Sequence, residues 1–305
     1  MAKYVLRRAL EFIPVLLVIV TITFFLVRAA PGGPFDAERA VSPQVLRQLE
    51  AQYHLDAPLH QQYFRYIGNL VQGDLGPSFR KPSHTVREWI ALRVPVSLEL
   101  GAYAILVALT IGLATGIFAA LKPNSARDYV PMSLAMAGIC VPNFVLGPLL
   151  VLVVSMWMGL LPVSGWETAA HRILPSLTLG AAFAAYIARL SRGGMLEVLG
   201  QDFIRTARAK GLSEAAVVLR HGLRGGLQPV VSFMGPAMAA LLAGSFVVER
   251  IFQVPGLGRE FIEAAFNRDY TLITGIVLFY ATLIIVFNLV VDIVLAWMDP
   301  RLRYD

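Results

Sequence analysis

Long apolar stretches alternate with short charged segments along most of this sequence. Six of the stretches approach or reach roughly 20 residues, the length that a helix needs to cross about 30 Å of hydrocarbon. They lie at Phe12–Val27, Leu100–Leu121, within Val130–Trp166, at Ile173–Ala188, within Gly225–Val248 and at Tyr270–Met298. The pattern therefore predicts an all-α integral membrane protein with about six transmembrane helices.

The sixth stretch tests this interpretation because it contains Asp292. Between Leu272 and Leu295, 17 residues are Leu, Ile, Val or Phe. Each favours insertion by about 0.3–0.6 kcal/mol, whereas a central Asp costs roughly 3 kcal/mol. The apolar residues outweigh the charge, and Asp292 lies toward one end of the stretch, so we predict a span here as well.

Composition supports a membrane protein. The chain is 57% hydrophobic and only 15% charged, whereas soluble domains carry about 25% charged residues. Its 26 Lys and Arg exceed its 20 Asp and Glu, but the basic residues lie mostly between the apolar stretches, which indicates membrane topology rather than nucleic-acid binding. The single cysteine, Cys140, cannot form an intrachain disulfide, and the five histidines show no metal-ligand spacing.

The basic residues also predict an orientation. They cluster before the first stretch, at 122–127, at 189–226 and in the tail 299–305. Under the positive-inside rule these segments are cytoplasmic, so both ends of the chain are expected inside. Arg28 occupies the position where a cleavable signal peptide needs a small residue, which favours an uncleaved first span.

These features predict four parts of the chain. They are the first transmembrane helix (1–28), an extracytoplasmic helical segment (29–95), a five-helix core (96–298) with a cytoplasmic loop at 198–226, and a cytoplasmic tail (299–305). Within 29–95, helix-start signals stand at Ser42-Pro43, at Asp56 to Pro58, and at Thr85 with Glu88. The pattern leaves open whether this segment contacts a soluble partner or covers the bundle.

The loop at 198–226 predicts two short, basic, alanine-rich helices. Asp202 is expected to cap the first and Gly211 to end it, and Ser213 is expected to cap a second that runs through Leu223. Small residues with arginines at their rim suit close contact with another protein. A basic loop that touches lipid head groups fits the residues equally well.

The run from Arg205 to Leu212, followed by Leu227-Gln228-Pro229, resembles the cytoplasmic coupling loop of binding-protein-dependent ABC importers of the dipeptide and oligopeptide class. The likeness is greatest to their B-type oligopeptide permease subunits, although Gln228 interrupts an apolar pair and Gly225-Gly226 is expected to loosen the approach to the next span. Further matching motifs are Leu6–Arg8, Pro31-Gly32, Gly73–Gly76, Pro142, Ser232–Pro236, Ala243–Glu249, Phe252, Pro255–Gly258, Asn267–Tyr270 and Asp299–Arg301.

The resemblance implies the type I ABC importer permease architecture in a bacterial cytoplasmic membrane. The implied partners are a second homologous permease, two cytoplasmic ATPases that hold ATP and Mg, and an extracytoplasmic solute-binding protein that delivers peptide. The sequence has no Gly-x-x-x-x-Gly-Lys-Ser/Thr motif, so ATP hydrolysis is expected in the partners. This chain is expected to have no catalytic residue and to bind no cofactor or metal. Dipeptide or nickel-chelate import remains an alternative within the family.

Three groups of residues are candidates for function. Those expected to couple the chain to the ATPases are Arg205, Thr206, Ala207, Lys210, Gly211 and Glu214. Those expected at the pathway or its outer mouth are Asn288, Asp292, Glu249 and Arg250, although Asn288 and Asp292 share a helix face and could instead lock two helices. The expected hinges are Pro142, Pro148, Gly235 and Pro236.

Two rival functions make different demands on the sequence. An ATP-independent secondary transporter commonly has internal repeats and ionisable residues in several spans. A membrane enzyme needs paired catalytic groups at one depth. Neither pattern is evident, so the permease interpretation is preferred.

Overall fold

The structure is a computed structural model that describes residues 2–35, 43–81 and 83–298. Within these ranges the regular structure is helical, apart from one isolated β-bridge between Pro77 and Thr85. The α-helices are α1 (Ala2–Ala29), α2 (Pro43–Gln52), α3 (Leu59–Val71), α4 (Val86–Leu121), α5 (Ala126–Cys140), α6 (Asn143–Leu150), α7 (Ala169–Leu199), α8 (Asp202–Ala209), α9 (Glu214–Val217), α10 (Leu223–Gly226), α11 (Gln228–Ile251), α12 (Leu257–Phe266) and α13 (Tyr270–Met298). Two π-helical segments, Val151–Trp157 and Val218–Gly222, follow α6 and α9.

Four helices are long and apolar enough to cross a membrane. These spans are Glu11–Ala29, Val86–Leu121, Ala169–Leu199 and Tyr270–Val294. Two further pairs of helical segments meet the same test when each bent pair is taken as one span. The described residues thus provide four to six spans, in agreement with the predicted helical membrane fold.

Two spans are longer than the hydrophobic pattern predicts. The predicted capping box forms, because Glu88 N–H donates to Thr85 Oγ1 at 3.3 Å and Thr85 N–H donates to Glu88 Oε2 at 2.8 Å. This helix continues through Pro95 into the predicted second span as a single helix, α4. Likewise α7 continues past Arg189, where the apolar stretch ends, to Leu199. The predicted start at Ser42 and the tail 299–305 lie outside the described residues.

The third span is sharply bent, as its prolines predict. The segments Ala126–Gly138 and Asn143–Trp157 meet at 103°, and Pro142 stands immediately before the second segment. Proline cannot donate to the preceding turn, so it tends to break a helix at this point. Pro148 lies inside α6, shortly before the π segment begins. The bend is present, and its role in gating remains a prediction.

The fifth span bends at a different place from the one predicted. Gly235 and Pro236 lie inside α11, whereas the 48° bend falls between Leu241 and Ser245. The predicted position of the bend was therefore wrong. A Gly-Ser pair, Gly244 with Ser245, stands at the observed bend, and such pairs are a recognised cause of kinks.

The chain divides into two compact units, Met1–Pro95 with Gly256–Ile285, and Val96–Pro255 with Val286–Asp305. In the first unit, Asp269 lies buried just before α13. Its carboxylate accepts hydrogen bonds from Leu272 N–H at 3.2 Å, from Thr271 Oγ1 at 3.1 Å and from the Ser78 hydroxyl. Asp269 therefore caps α13 and holds the segment that follows α3.

In the second unit, α4 and α7 pack through small residues. A methyl group added at Gly112 would lie 2.6 Å from the Ala184 carbonyl oxygen, and one at Gly116 would lie 1.9 Å from Ser191 Oγ. Glycine at these positions lets two helices approach closely, as is common in membranes. The buried residues of a nearby apolar cluster are Leu100, Ala104, Trp166, Leu174, Leu179, Leu241, Val248, Phe252 and Val254.

Candidate coupling site

Residues 202–226, which we call the elbow, form two helical arms joined by a tight turn. The first arm, α8, ends at Ala209 with Lys210 as its C-cap, and Gly211 adopts a φ of +79°. This conformation strains residues with a Cβ, so glycine suits the position. Ser213 then caps the second arm by accepting a hydrogen bond from Ala216 N–H at 3.4 Å. The predicted turn at Gly211 and cap at Ser213 are both confirmed.

The start of the first arm differs from the prediction. Gln201 occupies the N-cap position, and Asp202 is the first helical residue without a capping bond from its side chain. Its carboxylate instead pairs with Arg205 at 3.3 Å, and a negative charge in the first turn is still favourable. The second arm runs through the π segment to Gly226 rather than ending at Leu223.

The elbow has its own small core. Ile204 and Ala207 from the first arm and Val217 from the second pack with Val198 at the end of α7, and all four are buried. Ala207 was predicted to take part in coupling. Because it lies inside this core, it packs the two arms together, and a role in coupling stays a prediction.

The outward face of the elbow carries most of the predicted coupling residues. Arg205, Thr206, Lys210 and Gly211 are exposed to solvent. Sequence reasoning missed two apolar side chains in the same segment, Phe203, which is 47% exposed, and Leu219, which is 66% exposed. A phenylalanine inside a basic segment was the available signal, because surface aromatic residues are often interface residues.

One ion pair crosses the turn. The Arg208 guanidinium donates to Glu214 Oε1 at 2.7 Å and to Oε2 at 3.3 Å. Glu214 was predicted as a coupling residue, and it lies exposed on the second arm. The pair links the two arms at their surface, in addition to their shared core.

The elbow meets α7 by direct backbone contact. A methyl group at Gly194 would lie 2.2 Å from the Gly226 carbonyl oxygen, and one at Gly226 would lie 2.5 Å from Met195 Sδ. At Gly226 the missing side chain permits this close packing. The expectation that Gly225-Gly226 loosens the approach to the next span stays a prediction.

A second connection joins α7 to the start of α5. Asp128 is 1% exposed, and both of its carboxylate oxygens accept from Arg192, one of them from Nη2 at 2.6 Å. Asp128 Oδ2 also accepts from Asn124 N–H at 3.0 Å. Charge-assisted bidentate pairs of this kind are short and directional, so the pair fixes α5 to the part of α7 that leads into the elbow.

Of the residues predicted at the outer mouth, one is deeply buried. Glu249 has no exposed surface, and its Oε1 accepts from Ser97 Oγ at 2.8 Å. It therefore cannot contact a soluble partner in this conformation. Its neighbour Arg250 is exposed, and its role at the mouth remains a prediction.

The polar pair on α13 lies against another helix. A methyl group at Gly235 would lie only 2.5 Å from Asn288 Oδ1, so α11 and α13 approach closely at this point. Asn288 and Asp292 are both half-buried. This contact favours the alternative in which the pair holds two helices together, and a role in the pathway remains a prediction.

A cavity of about 160 Å³ lies within the first unit. Arg28 and Tyr66 line it, together with Gln62, which accepts from Arg28 Nε at 3.2 Å. Burial raises the pKa of Tyr66 to about 12, although the nearby Arg28 charge lowers it in part. The phenol is therefore neutral at physiological pH. No group of three or more metal-ligating side chains occurs here or elsewhere among the described residues.

The fold and this site define a class of protein: a multi-span helical membrane component that carries a folded basic elbow at the end of a span. The chain belongs to the family described as binding-protein-dependent transport system inner membrane component, which matches residues 112–304. The corresponding N-terminal family matches residues 1–101. The protein is thus an integral inner-membrane component of an ABC transport system.

Its relatives match over the whole chain. The oligopeptide transport system permease protein OppB of Haemophilus influenzae is 46% identical over 306 residues and is covered completely, as is this chain. OppB of Salmonella typhimurium is 47% identical with the same coverage. The dipeptide transport system permease protein DppB of Bacillus subtilis is 43% identical over 99% of this chain and 98% of its own length.

Solved structures support the fold. A chain from inward-facing conformations of the MetNI methionine ABC transporter superposes with a TM-score of 0.59 and 15% identity. The match covers 69% of this chain and 96% of that one. The predicted type I importer permease architecture is confirmed.

Proposed function

We propose that this chain is a permease subunit of an ATP-driven importer that moves oligopeptides across the bacterial cytoplasmic membrane. Support comes from the OppB relatives, which match over their full length at 46–47% identity. The further components that we assign to the importer are a second homologous permease, two ATPases that bind ATP and Mg, and a solute-binding protein that delivers the peptide. Both ends of the chain and the elbow then lie in the cytoplasm, as the basic segments predict.

The elbow is the observation that carries this function. Its exposed face combines charged and apolar side chains, while its buried core and its contact with α7 keep it folded on the chain. Phe203 and Leu219 can fill apolar pockets on an ATPase, and Arg205 and Lys210 can bind carboxylates around them. An interface with an apolar centre and a charged rim is typical of protein docking.

The contacts of the elbow suggest how movement is transmitted. When the ATPases close on ATP, the docked elbow is displaced, and α7 must follow because the two touch at Gly194 and Gly226. The Asp128–Arg192 pair passes the same displacement to α5. A rigid-body shift of packed helices can then change which side of the pathway is open. The permease itself performs no chemistry, so hydrolysis belongs to the ATPases.

Purification of the assembled transporter tests the proposal. The full-length chain, extracted in mild detergent, should co-purify with ATPase subunits and a second six-span permease, and the reconstituted complex should import peptide with ATP. A variant with Phe203→Ser and Leu219→Ser should lose the ATPases but retain the second permease. Peptide uptake by this chain alone, without any ATPase, would contradict the proposal and favour a secondary transporter.

Dipeptide import is the second candidate, because the DppB relative is 43% identical over nearly the whole chain. Competition separates the two substrates. Uptake of a labelled tripeptide or longer peptide should be inhibited by unlabelled oligopeptides more strongly than by dipeptides. The reverse order would assign the chain to dipeptide import.

A further inference from the structure

The helix α3 has more apolar surface than its neighbours cover. Taking about 100° per residue from Leu59, Tyr63 falls near 40°, Val71 near 120° and Phe64 near 140°. The polar residues Gln61 and Arg65 fall near 200° and 240° on the same scale. Apart from the exposed His60 near 100°, the apolar side is therefore wider than the strip that faces α1, and no residue of α3 is fully buried.

Contacts with α1 show how deep this helix reaches. Tyr63 Oη lies 2.8 Å from Thr21 Oγ1. Thr21 lies inside the membrane-spanning part of α1, eight residues before its end at Ala29. At 1.5 Å per residue this corresponds to about 12 Å below the end of the helix. Because the hydrocarbon core is about 30 Å thick, the Tyr63 hydroxyl lies at the level of the acyl chains.

The exposed apolar surface of α1 continues onto α3. The rings of Phe25 and Tyr63 stack with their centroids 5.5 Å apart, and the centroid of Phe64 lies 5.5 Å from that of Tyr63. Phe25 and Leu26 are themselves exposed on the span, where lipid is their natural solvent. Phe64 is 69% exposed and Val71 is 83% exposed, so the lipid-facing surface extends from one helix to the next.

We propose that α3 is an interfacial helix embedded in the leaflet at the Ala29 end of α1. Phe64 and Val71 lie among the acyl chains, and Gln61 and Arg65 face water. An amphipathic helix in this position is stabilised by apolar contact with lipid on one side and hydration on the other. This helix is thus a membrane-surface element, in addition to covering α1, which is one of the roles that the sequence left open.

Spin labels can measure the depth of α3. Cys140, the single cysteine, is first replaced by serine, and one cysteine is then introduced as Phe64→Cys, Val71→Cys or Gln61→Cys. Each full-length variant, purified with its associated subunits, is labelled and reconstituted in phosphatidylethanolamine and phosphatidylglycerol vesicles. Collision rates with oxygen, which concentrates in lipid, and with a water-soluble nickel chelate are then compared.

We expect labels at 64 and 71 to collide with oxygen far more than with the nickel chelate, and the label at 61 to show the opposite. Val71→Cys gives an independent reading if Phe64→Cys does not fold, and retained peptide uptake identifies the folded variants. Nickel collisions at 64 and 71 equal to those at 61 would show that α3 lies in water. Protection of 64 and 71 from both reagents would show that protein covers them, and either result overturns the proposal.

Discussion

The guanidinium of Arg208 reaches across the Gly211 turn and binds both carboxylate oxygens of Glu214, at 2.7 and 3.3 Å. The two side chains are 40% and 63% exposed, so solvent screens their attraction. The pair contributes little to stability compared with the apolar core beneath it. The pair nevertheless links, at their exposed surface, the two arms that we propose to dock on the ATPases.

Removing this ion pair should therefore affect coupling more than stability. We expect Arg208→Gln and Glu214→Gln each to lower the free energy of unfolding by no more than about 1 kcal/mol. A double-mutant cycle on thermal unfolding and on peptide uptake per ATP hydrolysed measures both effects. A large loss of stability with unchanged uptake per ATP would contradict this assignment.

Gly211→Val should uncouple hydrolysis from transport. No heavy atom lies within 4 Å of a methyl group added at Gly211, so the substitution tests backbone conformation rather than space. A β-branched residue at a φ of +79° is strained by about 1–3 kcal/mol, and the turn is expected to open. Uptake should fall by roughly tenfold, while Gly211→Asn, which tolerates this conformation, should keep most activity. Equal uptake by the Val and Asn variants would show that the turn geometry does not matter.

Asp128→Asn should destabilise the second unit. The substitution leaves Arg192, whose side chain is 28% exposed, without its carboxylate. Breaking a fully buried pair costs about 3–5 kcal/mol, so we expect a loss of about 1–3 kcal/mol for this partly buried pair. Asp202→Asn is the matched control, since it breaks an Asp–Arg pair whose side chains are 94% and 75% exposed. Thermal unfolding followed by intrinsic tryptophan fluorescence should show a large shift for the first variant and almost none for the second. Similar small shifts for both would refute the structural role of the buried pair.

Gly116→Ala should disrupt the contact between α4 and α7. A methyl group there would lie 2.3 Å from the Ala188 carbonyl oxygen as well as close to Ser191 Oγ, so backbone must move. Overpacking of this kind typically costs about 1–3 kcal/mol. Gly101→Ala on the same helix meets nothing within 4 Å and should be neutral or slightly stabilising. Thermal unfolding of the two purified variants checks the difference, and equal melting temperatures would argue against close packing.

Ser97→Ala should weaken the fold around Glu249. The hydroxyl and the carboxylate are both buried, and removal of one partner from a buried hydrogen bond costs about 1–3 kcal/mol. Arg250→Gln, at the exposed neighbour, should lower the melting temperature less than Ser97→Ala does. A larger fall in melting temperature for Arg250→Gln than for Ser97→Ala would show that the buried Ser97–Glu249 hydrogen bond does not stabilise this part of the fold.

The sequence predicts the local features of this protein well, because they depend on neighbouring residues. The turn at Gly211 and the capping box at Thr85 with Glu88 each follow from residues within one helical turn. The Asp128–Arg192 pair could not be predicted, since 64 residues separate its members and only the packing of α5 on α7 brings them together. Burial was the other difficulty, because the sequence pattern predicts Ala207 and Glu249 at the surface whereas both side chains are buried between packed helices.

The unbroken length of α7 has a mechanical consequence. Its 31 residues extend for about 46 Å at 1.5 Å per residue. A rotation of about 10° about the Leu199 end would carry the Ala169 end through roughly 8 Å, as for any stiff rod of this length. A small movement that an ATPase imposes at one face of the bilayer can thus displace the other end of α7 by about the width of a peptide.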